Sequence, residues 1–298
     1  MIGFYLFRFI EFLIMLLPRF MRKSLFTGLA KLAYLIDKKH RFIAHQNLTV
    51  AFGDTLSDAK ADTIVRYAYK NLLLALLQII ENRRLSKDEL GKKVTFINRE
   101  IVDEAIKAGK PIVFISAHVS NWELGASALA SQIIPLNAVH KAMNNKYFDN
   151  YLHQSRSRFD LNMIEKHGAT RHLSKALKNA GAVSLLIDQN VNPKDGIVVD
   201  FFSKQVTQTP APAFLARKYN APIIPLAMTT DDEEHYTITF SEPIIVAHSD
   251  DTQADILDAT QKQSKWLEDE IRAHPKFWFW MHRRWKTLHP EIYDKTKQ

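Results

Sequence analysis

A chain of 298 residues that is 46% hydrophobic and 24% charged is globular in composition, and long enough for one large α/β domain or two small ones. It has no cysteine, which excludes disulfides, thiolate metal sites and a cysteine nucleophile, and fits a reducing compartment. The net charge of +8 sits at the ends: residues 1–50 carry eight Lys/Arg against two acids and residues 271–298 seven against two, which suits a polyanionic partner.

The chain opens with MIGFYLFRFIEFLIMLLPRF. Its apolar run from Ile2 to Leu17 is shorter than the roughly 20 residues a spanning helix needs. Arg8 and Glu11 at its centre would be costly in hydrocarbon. No small-residue cleavage site follows, so it does not read as a signal peptide. A helix lying in the membrane interface, with Arg19, Arg22 and Lys23 near lipid phosphates, fits these features. The alternative is an amphipathic helix buried in the domain itself.

Residues 1–36 read as two helices around Pro18, and 41–53 (RFIAHQNLTVAFG) as a connector. Ser57 can cap a helix running to about Asn82. From Val94 short β-rich runs alternate with helix-length segments: KVTFI, helix 99–108, PIVFISA, helix 121–131, PLNAVH, helix 145–158, LNMIE, helix 170–180 and AVSLLID. GIVVDFF, helix 210–219, APIIPLAMT, YTITFSEPIIV and a long helix from about Thr252 to Ala273 complete the series. Such alternation predicts an α/β fold, a largely parallel central sheet flanked by helices. The expected division is an N-terminal helical segment, 1–40, that associates with a membrane, and a domain over 41–298.

Ligands of such a sheet bind beyond the carboxyl ends of its strands. The residues there are His118 after VFISA, His140 and Lys141 after NAV, and Asp188, Gln189 and Asn190 after SLLI. The nine glycines form neither a dinucleotide fingerprint nor a P-loop, and G-x-S-x-G and H-E-x-x-H are absent. What remains is His118 with Glu123 five positions on. Twelve histidines and 32 acids produce roughly one such pair by chance. The chain carries a decoy of the same spacing, His289 and Asp294, with no strand before it. At 118 a strand aims the histidine into the ligand crevice and a turn brings Glu123 back beside it. A neutral imidazole there can take a proton from an attacking hydroxyl while a carboxylate fixes its tautomer. The plain alternative is a surface histidine with a glutamate favoured by a helix N-terminus.

HVSNWELG resembles the His-x4-acid signature of the glycerolipid and lysophospholipid acyltransferase superfamily, and more closely the late acyltransferases of lipid A biosynthesis, the lauroyl/myristoyl branch. RFIAHQNLTVAFG, RSRF, LLIDQN, VVDFFSKQVTQTPAPAFLARKYNAPIIPLA and WFWMHRRWK follow in the family's order. The chain departs from it with Val119-Ser120 for Phe-Gly, Gly53 for Pro, and Ser203 for Gly. The resemblance implies transfer of a fatty acyl group from an acyl carrier protein thioester, or coenzyme A, to a hydroxyl of a lipid A precursor at the cytoplasmic face of the inner membrane. It makes His118 the general base and Glu123 its orienting carboxylate, with no enzyme nucleophile, cofactor or metal. Arg156 and Arg158 would bind acceptor phosphate, with Lys141 and Arg171 as weaker candidates and Asp188 and Gln189 as positioning groups. FWFWMHRRWK fits a membrane interface better than nucleic acid, with core packing of Trp278 and Trp280 as the plainer alternative. Acylation of another lipid, thioester hydrolysis, or binding without catalysis are the competing functions.

Overall fold

The computed structural model describes residues 1–166 and 168–294. Helices α1 (Ile2–Leu16), α2 (Arg19–Ile36), α3 (Lys38–Phe52), α4 (Asp58–Asn82) and the short α5 (Lys87–Gly91) precede β1 (Val94–Ile97). Then come α6 (Glu100–Lys107), β2 (Ile112–Ser116), α7 (Trp122–Gln132), β3 (Leu136–His140), α8 (Lys146–Arg156), β4 (Leu161–Glu165), α9 (Ala169–Lys178) and β5 (Ala182–Leu186). After them lie β6 (Ile197–Phe201), β7 (Lys204–Gln208), α10 (Ala211–Tyr219), β8 (Ile223–Thr229), β9 (Tyr236–Phe240) and α11 (Thr252–Ala273).

One sheet has the order β1-β9-β8-β2-β5-β3-β4. The run from β8 to β4 is parallel, and β9 pairs antiparallel with β8 at one edge, carrying β1 with it. The central strands are apolar along their whole length because both faces are covered. Alternation divides them: Val113 and Ile115 of β2 join the core shared with α3, α4, α9, α10 and α11, and Ile112 and Phe114 join the core under α6 and α7. GIVVDFF does not enter this sheet. It forms β6 of a separate hairpin with β7, closed by Phe202 and Ser203 at φ 51° and 57°.

The stretch expected to be a connector is helix α3. Asp37 caps it by accepting from the His40 N–H at 3.1 Å, and Ile43, Ala44, Asn47, Leu48 and Ala51 form its buried stripe. Residue 40 therefore falls inside a helix. Ser57 does stand at the N-cap of α4, but its side chain makes no cap bond. Among the described residues α4 is the one helix long and apolar enough to cross a membrane, and most of its apolar window is buried in the protein.

The cations after the first apolar run, expected near lipid phosphates, are paired with acids of the protein. Arg19 pairs with Glu81 and Glu234, Arg22 with Glu81 at 3.2 Å, and Lys23 with Glu233 at 3.4 Å. They tie α2 to α4 and to the β8–β9 turn, because acids stand opposite them. Helix α1 lies across α8: the Phe7 ring sits 5.1 Å from Tyr151 and 5.3 Å from Phe148. Glu11 is buried on that side and pairs with Arg8 at 3.2 Å. The opposite stripe of α1, including Ile2, Phe9, Phe12 and Leu16, is exposed, and so are Phe20, Leu25, Leu29, Leu32 and Ile36 of α2.

The aromatic–basic C-terminus is core, which corrects its reading as a membrane-interface segment. Trp278 and Trp280 are 1% and 0% exposed, and Trp278 packs 5.9 Å from the Phe201 ring. Arg284 is fully buried with them, donating to the carbonyls of Gln189 and Thr207 at 2.9 Å and to Gln208 Oε1 at 2.8 Å.

Candidate active site

Strands β2 and β5 pair in parallel with Ser116 opposite Leu186. Ile187 N–H continues the ladder to the Ser116 carbonyl at 3.0 Å. Two residues further the same register brings His118 beside Asp188. Asp188 Oδ1 lies 2.9 Å from His118 Nδ1, and its Oδ2 accepts from the His118 backbone N–H and from Trp278 Nε1, each at 3.0 Å.

The corner after β2 is held from three sides. Val119 N–H closes a tight turn onto the Ala117 carbonyl, and Ser120, at φ 51°, donates its N–H to the Phe277 carbonyl at 2.9 Å. Asn71 of α4 donates to the Ser120 carbonyl at 2.8 Å. Phe279 N–H donates to the His118 carbonyl at 3.0 Å. Asn121 then caps α7 through the Leu124 N–H.

Asp188 is buried, and burial by itself would raise its pKa. The His118 charge, its two hydrogen bonds and the Trp278 N–H outweigh this and bring the carboxyl down to about 2. For His118 burial works downward, but the charge and hydrogen bond of Asp188, joined by the charge of Glu123, lift the imidazole above its ordinary value against Arg156. Both shifts favour the same arrangement, an ionised Asp188 holding a proton on Nδ1. Nε2 is left without a carboxylate partner, and the His118 side chain is 19% exposed. Nearby, burial brings His282 down to about 4, so that its neutral Nε2 accepts the Asn190 N–H at 2.8 Å and fixes the turn after Asp188.

Glu123 does not take the place beside His118 that its spacing suggests. Its oxygens accept from Arg156 Nε at 2.8 Å and Nη2 at 2.5 Å, and from Trp122 Nε1 at 3.2 Å. The reason is geometric: Nδ1 is already occupied from β5, while α8 presents a guanidinium across the mouth of α7. Arg156 is therefore engaged by a carboxylate where a free phosphate ligand was expected. Arg158 lies further out, donating to the carbonyls of Arg83 and Leu85 at 2.6 and 3.1 Å. Lys141 and Arg171 are exposed, Lys141 just beyond the end of β3. Gln189 is exposed with its amide nitrogen 3.4 Å from His118 Nε2.

Sequence reasoning overlooked Trp278 as a donor to Asp188, Asn71 as a support of the corner, and the rings of Trp122 and Phe279 beside the imidazole. Trp122 and Phe279 lie 5.2 and 6.3 Å from it, centroid to centroid. A signal for Asp188 was present: residues 112–118 and 182–188 are strand runs of equal length that end in His and Asp. Among the described residues no group of three or more His, Asp or Glu side chains is placed to hold a metal ion.

A partly exposed histidine at strand ends, with one nitrogen on a buried carboxylate and the other free of it, can take a proton from a hydroxyl and return it to a leaving group. Comparison with known proteins narrows this. The family model for bacterial lipid A biosynthesis acyltransferases matches residues 1–287. The lipid A biosynthesis myristoyltransferase of Escherichia coli is 23% identical over 274 residues, covering 92% of this chain and 83% of the relative. A lipid A biosynthesis acyltransferase of Haemophilus influenzae is 24% identical over 266 residues, 87% and 83% of the two chains. The lauroyltransferase of E. coli is 23% identical over 262 residues, again 87% and 83%.

Proposed function

The chain belongs to the bacterial lipid A biosynthesis acyltransferase family and is an acyltransferase, and from that premise we propose a reaction, a set of residue roles and a place of action. The protein transfers a fatty acyl group from an acyl carrier protein thioester to a hydroxyl of a lipid A precursor. His118 is the base. As the acceptor oxygen attacks the thioester carbonyl, Nε2 takes the hydroxyl proton. The tetrahedral intermediate then expels the thiolate, which recovers that proton from the imidazolium, leaving ester and thiol. No covalent enzyme intermediate is required.

One observation carries this reading: His118 Nδ1 rests on Asp188 at 2.9 Å, which leaves Nε2 for a substrate on a side chain that stays 19% exposed just beyond the strand ends. Asp188 is thus the carboxylate that sets the tautomer and steadies the imidazolium. Glu123, held by Arg156, shapes the mouth of the site and contributes its charge to His118. Lys141, exposed beyond β3, is the better candidate for an acceptor phosphate, since Arg156 and Arg158 already have partners.

Residues 1–40 bring the enzyme to a membrane surface, at the inner face where lipid A precursors carrying free hydroxyls are met. The support is the exposed apolar surface of α1 and α2, with Ile2 at 86%, Phe20 at 70% and Ile36 at 69% exposure. So many exposed large apolar side chains on two helices suit lipid.

The test is mass spectrometry of lipid A from cells lacking the protein and from the same cells given the wild-type or His118→Ala chain. One acyl chain should be missing, restored by the wild type and not by the variant. Lipid A of unchanged composition in all three would end the lipid A reading and favour another acceptor.

A further inference from the structure

The imidazole of His118 is not open to water on all sides. The Trp122 indole stands edge-on to it, at 5.2 Å and 68°. The Phe279 ring is on another side at 6.3 Å and 45°, and the two aromatic rings are 6.4 Å apart. Both are half-buried, unlike Trp278, Trp280 and Trp285. The segment explains the difference. Trp278 is extended and bridges Val119, so alternate side chains point to opposite sides. Trp278 and Trp280 enter the core, and Phe279 is left facing His118.

Both rings are also held from behind. Trp122 Nε1 donates to Glu123 Oε1 at 3.2 Å, and Arg156 grips the same carboxylate through two nitrogens. The Phe279 backbone is fixed by its N–H on the His118 carbonyl. A buried ion pair and a main-chain bond hold two rings that, unlike the neighbouring tryptophans, keep part of their surface exposed. Gln189 is the polar group on the remaining side, 3.4 Å from Nε2.

We propose that Trp122 and Phe279 form an apolar seat for the reacting end of the acyl thioester, and that this seat sets how much of the acyl group reaches lipid rather than water. The proposal rests on the acyl-transfer reading of the same site. A base that activates an alcohol also activates water, and water is always present. Two apolar rings beside the imidazole keep water away from the base until the thioester and the acceptor hydroxyl fill the space. Hydrolysis would use the same atoms with water in place of the alcohol, giving free acid and thiol. Glu123 and Arg156 then act as positioning residues for Trp122, which gives the glutamate of the His-x4-Glu pair a task away from the proton.

The experiment uses full-length protein, a lauroyl acyl carrier protein thioester, and a detergent-dispersed lipid A precursor. Thiol release, free laurate and acylated lipid are measured together for wild type, Phe279→Ala, Phe279→Leu and Trp122→Phe. Removing the Phe279 ring should raise the ratio of hydrolysis to transfer by about tenfold or more, the scale on which an apolar pocket discriminates. Phe279→Leu, which keeps an apolar side chain of similar bulk and guards against a failure of the alanine variant to fold, should raise the ratio less. Trp122→Phe should raise it too, and Glu123→Gln should follow Trp122→Phe in direction. The acid limb of the rate profile should stay in place for the Phe279 variants, because the contact between His118 and Asp188 is untouched. Transfer and hydrolysis falling in parallel, at a constant ratio, would mean that the rings are scaffold only and would overturn the seat while leaving the acyl-transfer reading intact. A wild-type enzyme that releases thiol and free laurate but acylates no lipid would overturn the acyl-transfer reading itself.

Discussion

Two buried carboxylates act on the charge of His118, and they differ in almost everything else. Glu123 is five residues away in sequence and its oxygens go to Arg156 and Trp122; Asp188 is seventy residues away and holds the imidazole directly. Glu123 stands on the first turn of α7, where the helix rotation decides its direction. Asp188 stands at the end of a strand that runs in register with the strand of His118. A neighbour in a parallel sheet is fixed by the ladder, whereas a spacing of five across a turn leaves the direction open. The difference teaches that the histidine's partner is set by the sheet.

Exchanging the carboxylates for their amides breaks this comparison most sharply. Asp188→Asn should lower kcat by about 10³- to 10⁴-fold, the scale for removing the carboxylate behind a catalytic imidazole. Its remaining oxygen can still accept the Trp278 N–H, so the fold should survive. Glu123→Gln should cost less. The pH profile sharpens the point. The base must be neutral, so kcat/KM should fall as pH drops through the raised pKa of His118, a midpoint above the ordinary histidine value. Asp188→Asn should move that limb to lower pH, and Glu123→Gln should move it the same way by less. Steady-state rates across pH decide the matter, and a larger loss for Glu123→Gln than for Asp188→Asn would restore the sequence-near residue as the partner. Stability has the corresponding signs. The raised His118 contribution is complete below its unfolded pKa and lost as pH rises through the folded one. The Asp188 contribution is present above its unfolded pKa and lost as pH falls toward about 2.

The second carboxylate can be probed through its guanidinium. Arg156→Met leaves Glu123 buried beside an apolar chain and should destabilise the protein by about 3–5 kcal/mol. Arg156→Lys keeps the charge but not the fork, and should cost about 2 kcal/mol. Thermal unfolding measures both. Because the guanidinium is already engaged, Arg156→Lys should impair bis-phosphorylated and dephosphorylated acceptors equally. A selective loss on the phosphorylated acceptor would return Arg156 to phosphate binding.

Much of the fold was legible, for physical reasons that also explain the gaps. The strands ending at Ser116, His140, Glu165 and Leu186 are short, apolar and bounded by turns, and α11 has the boundaries its periodicity predicts. Helix α3 was hidden because its stripe is interrupted by the buried Asn47, whose amide donates to the carbonyls of Trp280 and His282 at 2.7 Å. The terminal tryptophans could not be placed from composition, since a core and a membrane interface select the same rings. His118 was found by a local motif. The roles of Glu123 and Arg156 depend on a contact between α7 and α8 that no spacing along the chain encodes.

The same contrast between near and far partners runs through the N-terminal helices, with one face ion-paired to the body and the other exposed. Phe9→Glu with Phe20→Glu should leave the fold intact and weaken binding to anionic vesicles at least about tenfold, since each buried aromatic ring is worth about 1.5–3 kcal/mol. Arg19→Ala should instead lower the unfolding midpoint, because Glu81 loses a partner in a buried setting. Vesicle cosedimentation and thermal unfolding separate the two faces. Equal vesicle binding by the double variant would move the membrane contact elsewhere.

The smallest effect concerns two serines that stand where the resembling family carries glycine. Ser120 and Ser203 both have positive φ, 51° and 57°, a region where a Cβ costs about 1 kcal/mol. Glycine would remove that strain at either position, against an unfolded-state entropy penalty of roughly 0.5–1 kcal/mol. Ser203 is exposed at a hairpin turn, and its hydroxyl is free to meet water, so the two terms nearly cancel there. Ser120 is fully buried at the corner after His118, and its Oγ has no hydrogen-bond partner among the described residues. A buried hydroxyl without a partner adds about 1–3 kcal/mol of cost, which glycine also removes. Ser120→Gly should therefore stabilise the protein by about 1–3 kcal/mol and Ser203→Gly by close to nothing. Paired thermal-unfolding measurements test the difference directly. If Ser120→Gly is instead the less stable of the two, its hydroxyl has a partner in the folded protein, and the corner that carries His118 is held by one more bond than the geometry accounts for.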